Sequence, residues 1–236
     1  MAIPKGFAAV DSEAAIVKVE VKKCRDWLGY SYADDGWHYF CATIRQYIDE
    51  PSLSYKKSIL RKYYQLFQPK SLREGLFYKV ADTPLKKHNL WMPLPWENNL
   101  KLPEGDHQHF GPNSEAFGET ELLRTLRVYK KIRKVGYQPR HFPDGYIRGY
   151  FLKSGKDYRF KLTAGQHRMA ALGVMGHQTA KVKVQSKWER VIDPAHIKEW
   201  PQVRNRRYTK EQALYIFNSY FKQTGRERAI RLGLMK

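Results

Sequence analysis

A chain of 236 residues that is 42% hydrophobic and 14% aromatic can bury a sizeable core and is too apolar to be disordered. Its two cysteines, Cys24 and Cys41, are too few and unpatterned for a disulfide framework or a zinc site, and no apolar run approaches the roughly 20 residues of a membrane helix. The formal charge of +20 grows along the chain, from +4 over 1–100 to +7 over 101–180 and +9 over 181–236, which calls for an acidic partner such as a nucleotide, a nucleic acid, an anionic surface or an acidic or phosphorylated glycan.

The opening residues MAIPKGFAAVDSEAAIVKVEV lack a charged region ahead of an apolar core, so no secretory leader and a cytoplasmic location are expected. Trp37, Phe40, Cys41, Ile44, Tyr47 and Ile48 recur at helical spacing after Asp34 or Asp35 as a cap and before Pro51. A second helix is expected over about 52–67, with Ile59, Leu60, Tyr63, Leu66 and Phe67 on its apolar side. The stretch 90–112 reads as a long ordered loop packed by Trp91, Trp96 and Phe110. It holds His107 and His109, with Asp106 beside them. Such a pair binds metal when a third ligand joins it, but nothing at a suitable spacing supplies one, so no metal site is assigned.

Leu122, Leu126, Tyr129 and Ile132, spaced by four, three and three, form one face of a helix that Gly136 and Pro139 end. A hairpin follows, YIRGYFL at 146–152 and YRFKLT at 158–163 around the turn KSGKD, with Tyr158, Phe160 and Leu162 on one face and Arg159, Lys161 and Thr163 on the other. Gly165 then turns the strand into a helix that opens on Gln166, His167 and Arg168 and runs to about Met175, with Gly176 as its C-terminal cap. Ala180, Val182 and Val184 alternate with Lys181 and Lys183 in a further strand. Near the end, Thr209 and Gln212 make a capping box, Ala213, Phe217, Tyr220 and Phe221 line one helix face, and Gly225 ends it.

A glycine turn at a helix N-terminus leaves backbone N–H groups free to meet an anion, the helix dipole favours negative charge there, and His167 and Arg168 add donors. The run AGQHRMAAL resembles the signature of the ParB/sulfiredoxin superfamily, in which a strand leads into a G-x-[HR]-R turn and a small-residue helix. ParB proteins carry an AGERR-like form, sulfiredoxins GGCHR, and free serine kinases of the same fold DGHHR. This chain has the ParB-like Ala164 and Gly165 with the His167–Arg168 pair of the other two branches. Residues 113–139 are similar to the ParB segment in which a helix ends in a G-x-x-x-P turn. The resemblance spans roughly residues 110–186.

The resemblance implies an α/β (α+β) fold, a ParB/sulfiredoxin-like domain with a small mixed sheet over 106–236, joined by an N-terminal helical and proline- and aromatic-rich annex over 1–105. It implies a nucleoside triphosphate, ATP or CTP, with Mg2+, seated on Thr163, Gly165, Gln166, His167 and Arg168. Arg204, Asn205, Arg206 and Arg207 match a ParB N-x-x-R segment that reaches the nucleotide. His107, His109, Glu119 and His167 are the acid–base candidates. The kinase branch's acidic residue before the glycine is Ala164 here, so a kinase base would come from Glu115, Glu119 or Glu121. Gln166 replaces the cysteine that sulfiredoxin chemistry needs as nucleophile, and the roughly fifty residues after Val184 are too few for the helix-turn-helix domain of a full ParB. The expected function is NTPase or phosphotransferase action on a small molecule or on a sugar or polysaccharide intermediate. The alternative is a non-enzymatic, basic nucleic-acid-binding protein.

Overall fold

The computed structural model describes residues 15–102, 104–185 and 189–235. Residues 1–14, on which much of the expectation about a leader rests, lie outside the described residues. Strand β1 (Ala15–Glu20) and the two-residue β2 (Cys24–Arg25) come first, followed by helices α1 (Tyr39–Asp49), α2 (Ile59–Leu66) and α3 (Leu72–Leu76). After an extended loop comes the long α4 (Glu115–Val135), then β3 (Ile147–Ser154), β4 (Asp157–Ala164), α5 (Gln166–Val174) and β5 (Thr179–Val184). The short β6 (Val191–Ile192) and α6 (Pro201–Arg204) lead to α7 (Lys210–Lys222) and α8 (Arg226–Arg231).

The fold is α/β, with one mixed sheet of six strands in the order β1-β5-β3-β4-β2 and β6 paired to β3. The hairpin β3–β4 is antiparallel, with Phe151 opposite Phe160. β5 lies parallel to β3 after the α5 crossover, and β1 pairs antiparallel to β5 from Ala15 opposite Val184 to Glu20 opposite Thr179. β2 runs parallel to β4, with Arg25 opposite Lys161. Both outer strands therefore come from the region expected to be a helical annex. One hydrophobic core runs unbroken from Val19 to Ala229 across the boundary expected at residue 105.

Helix α4 buries Gly118, Leu122, Leu126, Tyr129 and Ile132 along one stripe, each large apolar side chain contributing roughly 1.5–3 kcal/mol. Ser114 caps its first turn by accepting from Phe117 N–H. Helix α1 starts later than expected. His38, not Asp34 or Asp35, is its N-cap, accepting the Phe40 N–H on its side chain. The second expected helix is broken by a 3-10 turn over Tyr55–Lys57, and α2 begins only at Ile59 under a Ser58 cap. The Thr209–Gln212 capping box is present in full at the start of α7. Among the described residues no helix is long and apolar enough to cross a membrane.

Helix α5 is wedged between α1 and α4. Gly173 on α5 makes this approach feasible, because a β-carbon there would sit 2.1 Å from the Tyr32 carbonyl oxygen. The Tyr32 hydroxyl donates to Gln166 and so ties the first turn of α5 to the same N-terminal segment.

Candidate functional site

Strand β4 delivers two polar residues, Lys161 and Thr163, to one place. Its alternation buries Tyr158, Phe160 and Leu162, while Lys161 and Thr163 belong to the other face. Lys161 is 3% exposed all the same. Its ammonium lies 3.0 Å from Glu97, whose Oε1 also accepts the Tyr150 hydroxyl at 2.8 Å. Trp96 Nε1–H donates to that hydroxyl at 2.8 Å, so the wall is a closed polar chain. After Ala164 the backbone turns at Gly165 with φ +93°, a left-handed conformation that favours glycine. A β-carbon there would sit 3.0 Å from Ile147 Cγ1 and 3.1 Å from Arg168 Nη2. No side chain caps α5, so its first-turn N–H groups are left for water or a ligand.

The three residues of that first turn are all buried and point apart. Gln166 Oε1 accepts the Tyr32 hydroxyl. His167 Nε2 meets Glu121 Oε2 at 3.0 Å, and its ring stacks on Phe40 at 4.2 Å. Burial pulls the His167 imidazole below its ordinary range against the pull of Glu121. Burial would raise the Glu121 carboxyl, but His167 and Arg124 together hold it below its ordinary range. The pair is therefore a carboxylate accepting from a neutral imidazole N–H. Arg168 donates to the Gly145 carbonyl, lies 3.6 Å from Asp144 and covers the Phe142 ring. Its guanidinium ties the α5 turn to the 142–145 segment.

A cavity of about 960 Å3 opens on this turn. Trp27, His107, His109, Lys161, Thr163 and Gln166 line it, together with the 96–102 loop, Glu189 and Ile192. Thr163 and Gln166 therefore face the cavity, whereas Gly165, His167 and Arg168 are not among its lining residues. Glu119 is exposed on α4, and Glu115 pairs with Arg61 at 2.8 Å. Arg204, Asn205, Arg206 and Arg207 are exposed between α6 and α7. Of these, Arg207 lines a separate recess of about 320 Å3, which shares Asn99, Leu100 and Leu102 with the main cavity.

His107 and His109 sit on a loop held by Asn113, which accepts the His107 N–H and donates to the His107 and Phe110 carbonyls. His107 Nδ1 accepts the His109 backbone N–H at 3.1 Å. Burial and the neighbouring His109 lower the His107 imidazole to about 4. His107 is thus neutral near pH 7, with its proton on Nε2. Behind the pair lies Asp26, which is fully buried. Its Oδ1 accepts Leu28 N–H at 2.9 Å and Tyr30 N–H at 2.7 Å, while Oδ2 has no hydrogen-bond partner. Oδ2 lies 3.7 Å from His109 Nδ1 and 3.8 Å from His38 Nε2. His38 is sandwiched between Tyr32 and Tyr39, and burial drives its imidazole down to about 3. Because His38 Nδ1 accepts the Phe40 N–H, its proton is on Nε2, facing Asp26.

Asp26, His38 and Lys161 were not singled out as site residues from the sequence. The one local signal for Asp26 is its place in DWLGY, where a carboxylate ahead of a glycine turn takes up backbone N–H groups. Among the described residues no group of three or more His, Cys, Asp or Glu is arranged to hold a metal ion. Family models, curated proteins and solved structures contain no match to this chain.

Proposed function

We propose that this chain is a nucleoside-triphosphate-binding protein of ParB/sulfiredoxin-like type, an NTPase or phosphotransferase whose nucleotide occupies the cavity with its phosphates toward the Gly165 turn. The observation that carries the reading is that Lys161, Thr163 and Gln166, from the strand and helix either side of that turn, open together onto one cavity of about 960 Å3, ample for a nucleotide. Uncapped helix N–H groups and the Lys161 ammonium are the donors a phosphate needs. Arg168 acts from behind, holding the turn in shape, its Nη2 3.1 Å from where a β-carbon on Gly165 would sit. With no protein cage of acidic ligands among the described residues, Mg2+ would enter bound to the phosphates, as is usual for that ion. An acceptor with hydroxyl groups, such as a sugar or polysaccharide intermediate in the cytoplasm, suits the polar 96–102 wall.

A thermal-shift screen of ATP, CTP, GTP and UTP with and without Mg2+ tests the reading. One nucleotide at a hundred times its Kd should stabilise the protein by about 2.7 kcal/mol. Lys161→Ala should weaken that nucleotide by roughly one to two decades. No response to any of the four would sink the proposal.

A second reading has its own observation. Arg124, Arg127, Lys131 and Lys134 recur along one exposed flank of α4, a spacing that suits a phosphate backbone. Duplex DNA binding that vanishes with salt while nucleotide stabilisation persists favours the cavity. Tight DNA binding at physiological salt without any nucleotide effect favours the flank.

A further inference from the structure

We propose that His109, oriented by Asp26, is the proton acceptor of the cavity, and that the reaction there is attack by water or an acceptor hydroxyl on the terminal phosphorus of the bound nucleotide. This rests on the nucleotide reading above.

The assignment follows from counting lone pairs. His38 spends its Nδ1 lone pair on Phe40 N–H and does not line the cavity. His107 lines the cavity but spends its Nδ1 lone pair on His109 N–H. As a neutral ring it offers the cavity an N–H donor and no acceptor. Glu97 is bound at Oε1 by Lys161 and Tyr150, and the Lys161 ammonium at 3.0 Å matches its charge and leaves it a weak base. His109 differs. Its Nδ1 faces the Tyr39 hydroxyl at 3.1 Å and Asp26 Oδ2 at 3.7 Å. That leaves Nε2 as the ring nitrogen available to the cavity.

Asp26 supplies what such a base needs. It is fully buried and its Oδ1 is fixed by two backbone N–H groups, so Oδ2 cannot swing away. A buried carboxylate oxygen without a donor is strongly disfavoured. Two imidazole nitrogens within 4 Å are the groups that can relieve it. In the tautomer this proposal requires, Nδ1–H donates to the Tyr39 hydroxyl beside Asp26, and Nε2 takes the proton of the attacking O–H. The oxygen then forms the bond to the terminal phosphorus, the bond from phosphorus to the bridging oxygen breaks, and that electron pair leaves with the nucleoside diphosphate. The imidazolium so formed is stabilised by Asp26. His107 Nε2–H, alongside, can donate to a phosphoryl oxygen. Asp26 is a positioning residue, since it does not reach the cavity surface.

The test uses the full chain, the nucleotide giving the largest thermal shift, and release of inorganic phosphate. Asp26→Asn keeps an oxygen for the two backbone N–H groups, and His109→Gln leaves the Tyr63 bond to the residue 109 carbonyl; circular dichroism and melting temperature check that both variants fold. Each should bind nucleotide with an unchanged thermal shift and lose roughly 10²- to 10⁴-fold in hydrolysis. The double variant should be no slower than the worse single one, because the two act as a unit. Wild-type turnover by His109→Gln overturns the proposal, as do losses that multiply in the double variant. A wild-type protein that binds nucleotide and neither releases phosphate nor transfers it to an added sugar hydroxyl also overturns it, while leaving the binding site intact. If no nucleotide binds, the phosphate-site reading fails and the pair is judged with diethyl pyrocarbonate, which acylates neutral imidazole. His109 should be acylated, and Asp26→Asn should slow its reaction while leaving the exposed His177 and His196 unchanged. Equal rates with and without Asp26 overturn the pairing.

Discussion

His38, His107 and His167 are all depressed below their ordinary range, chiefly by burial. The native state therefore binds fewer protons than the unfolded chain below about pH 6.5, and stability falls as the medium is acidified. The window for His107 runs from about 6.5 down to about 4, and for His38 down to about 3. Within it each histidine steepens the dependence by roughly 1.4 kcal/mol per pH unit. Calorimetric melting from pH 7 to 4.5 should show a progressive fall, and His107→Gln should flatten it by about one proton. A melting temperature indifferent to pH across that range would contradict the burial of these rings. The H-x-H pair was visible in the sequence because its residues are adjacent. The partner carboxylate was not, since Asp26 and His109 stand more than eighty residues apart and only the packed fold brings them within 4 Å.

At the scale of the element, α5 carries the most consequence. Its strand–turn–helix form was legible from a glycine between an alternating strand and a small-residue run. So were α4, the β3–β4 hairpin and the capping box of α7, whose signals all lie within a few residues. β1 carries only the short alternation of Ala15, Val17 and Val19, a weak signal without its partner β5, which lies more than 150 residues on. The directions of His167 and Arg168 were equally hidden. Both were expected at the phosphates, yet they meet Glu121 and Gly145, contacts that depend on how α4 and the 142–145 segment pack. Gly173→Ala tests the seating of α5. The added methyl meets the Tyr32 carbonyl, and an overpacked core contact costs typically 1–3 kcal/mol. The variant should melt earlier, and its nucleotide response should shrink because Tyr32 also holds Gln166. An unchanged melting point would show that α5 does not depend on this contact.

For the whole molecule the governing fact is the single core across the 105 boundary. Unfolding should be one cooperative transition by calorimetry and circular dichroism alike. A fragment of residues 106–236 should show no cooperative melt, because it lacks both outer strands of the sheet and the α1 face against which α5 packs. Two resolved transitions, or a stable fragment, would restore the picture of a separate domain with an annex. Charge belongs to this scale too. An excess of +20 attracts anions to the chain, without choosing between a nucleotide and a polymer.

The sheet's two outer strands also set a timetable. Residues 15–25 leave the ribosome long before their partners at 160–161 and 179–184. At roughly 5–20 residues per second, the amino-terminal strands wait on the order of ten to thirty seconds with their hydrogen-bonding groups unpaired. The sheet cannot close while the chain is being made until the last of those partners emerges. A growing chain with exposed strand edges is a natural client for holding factors, and slower translation before residue 184 would lengthen its exposure rather than help it fold.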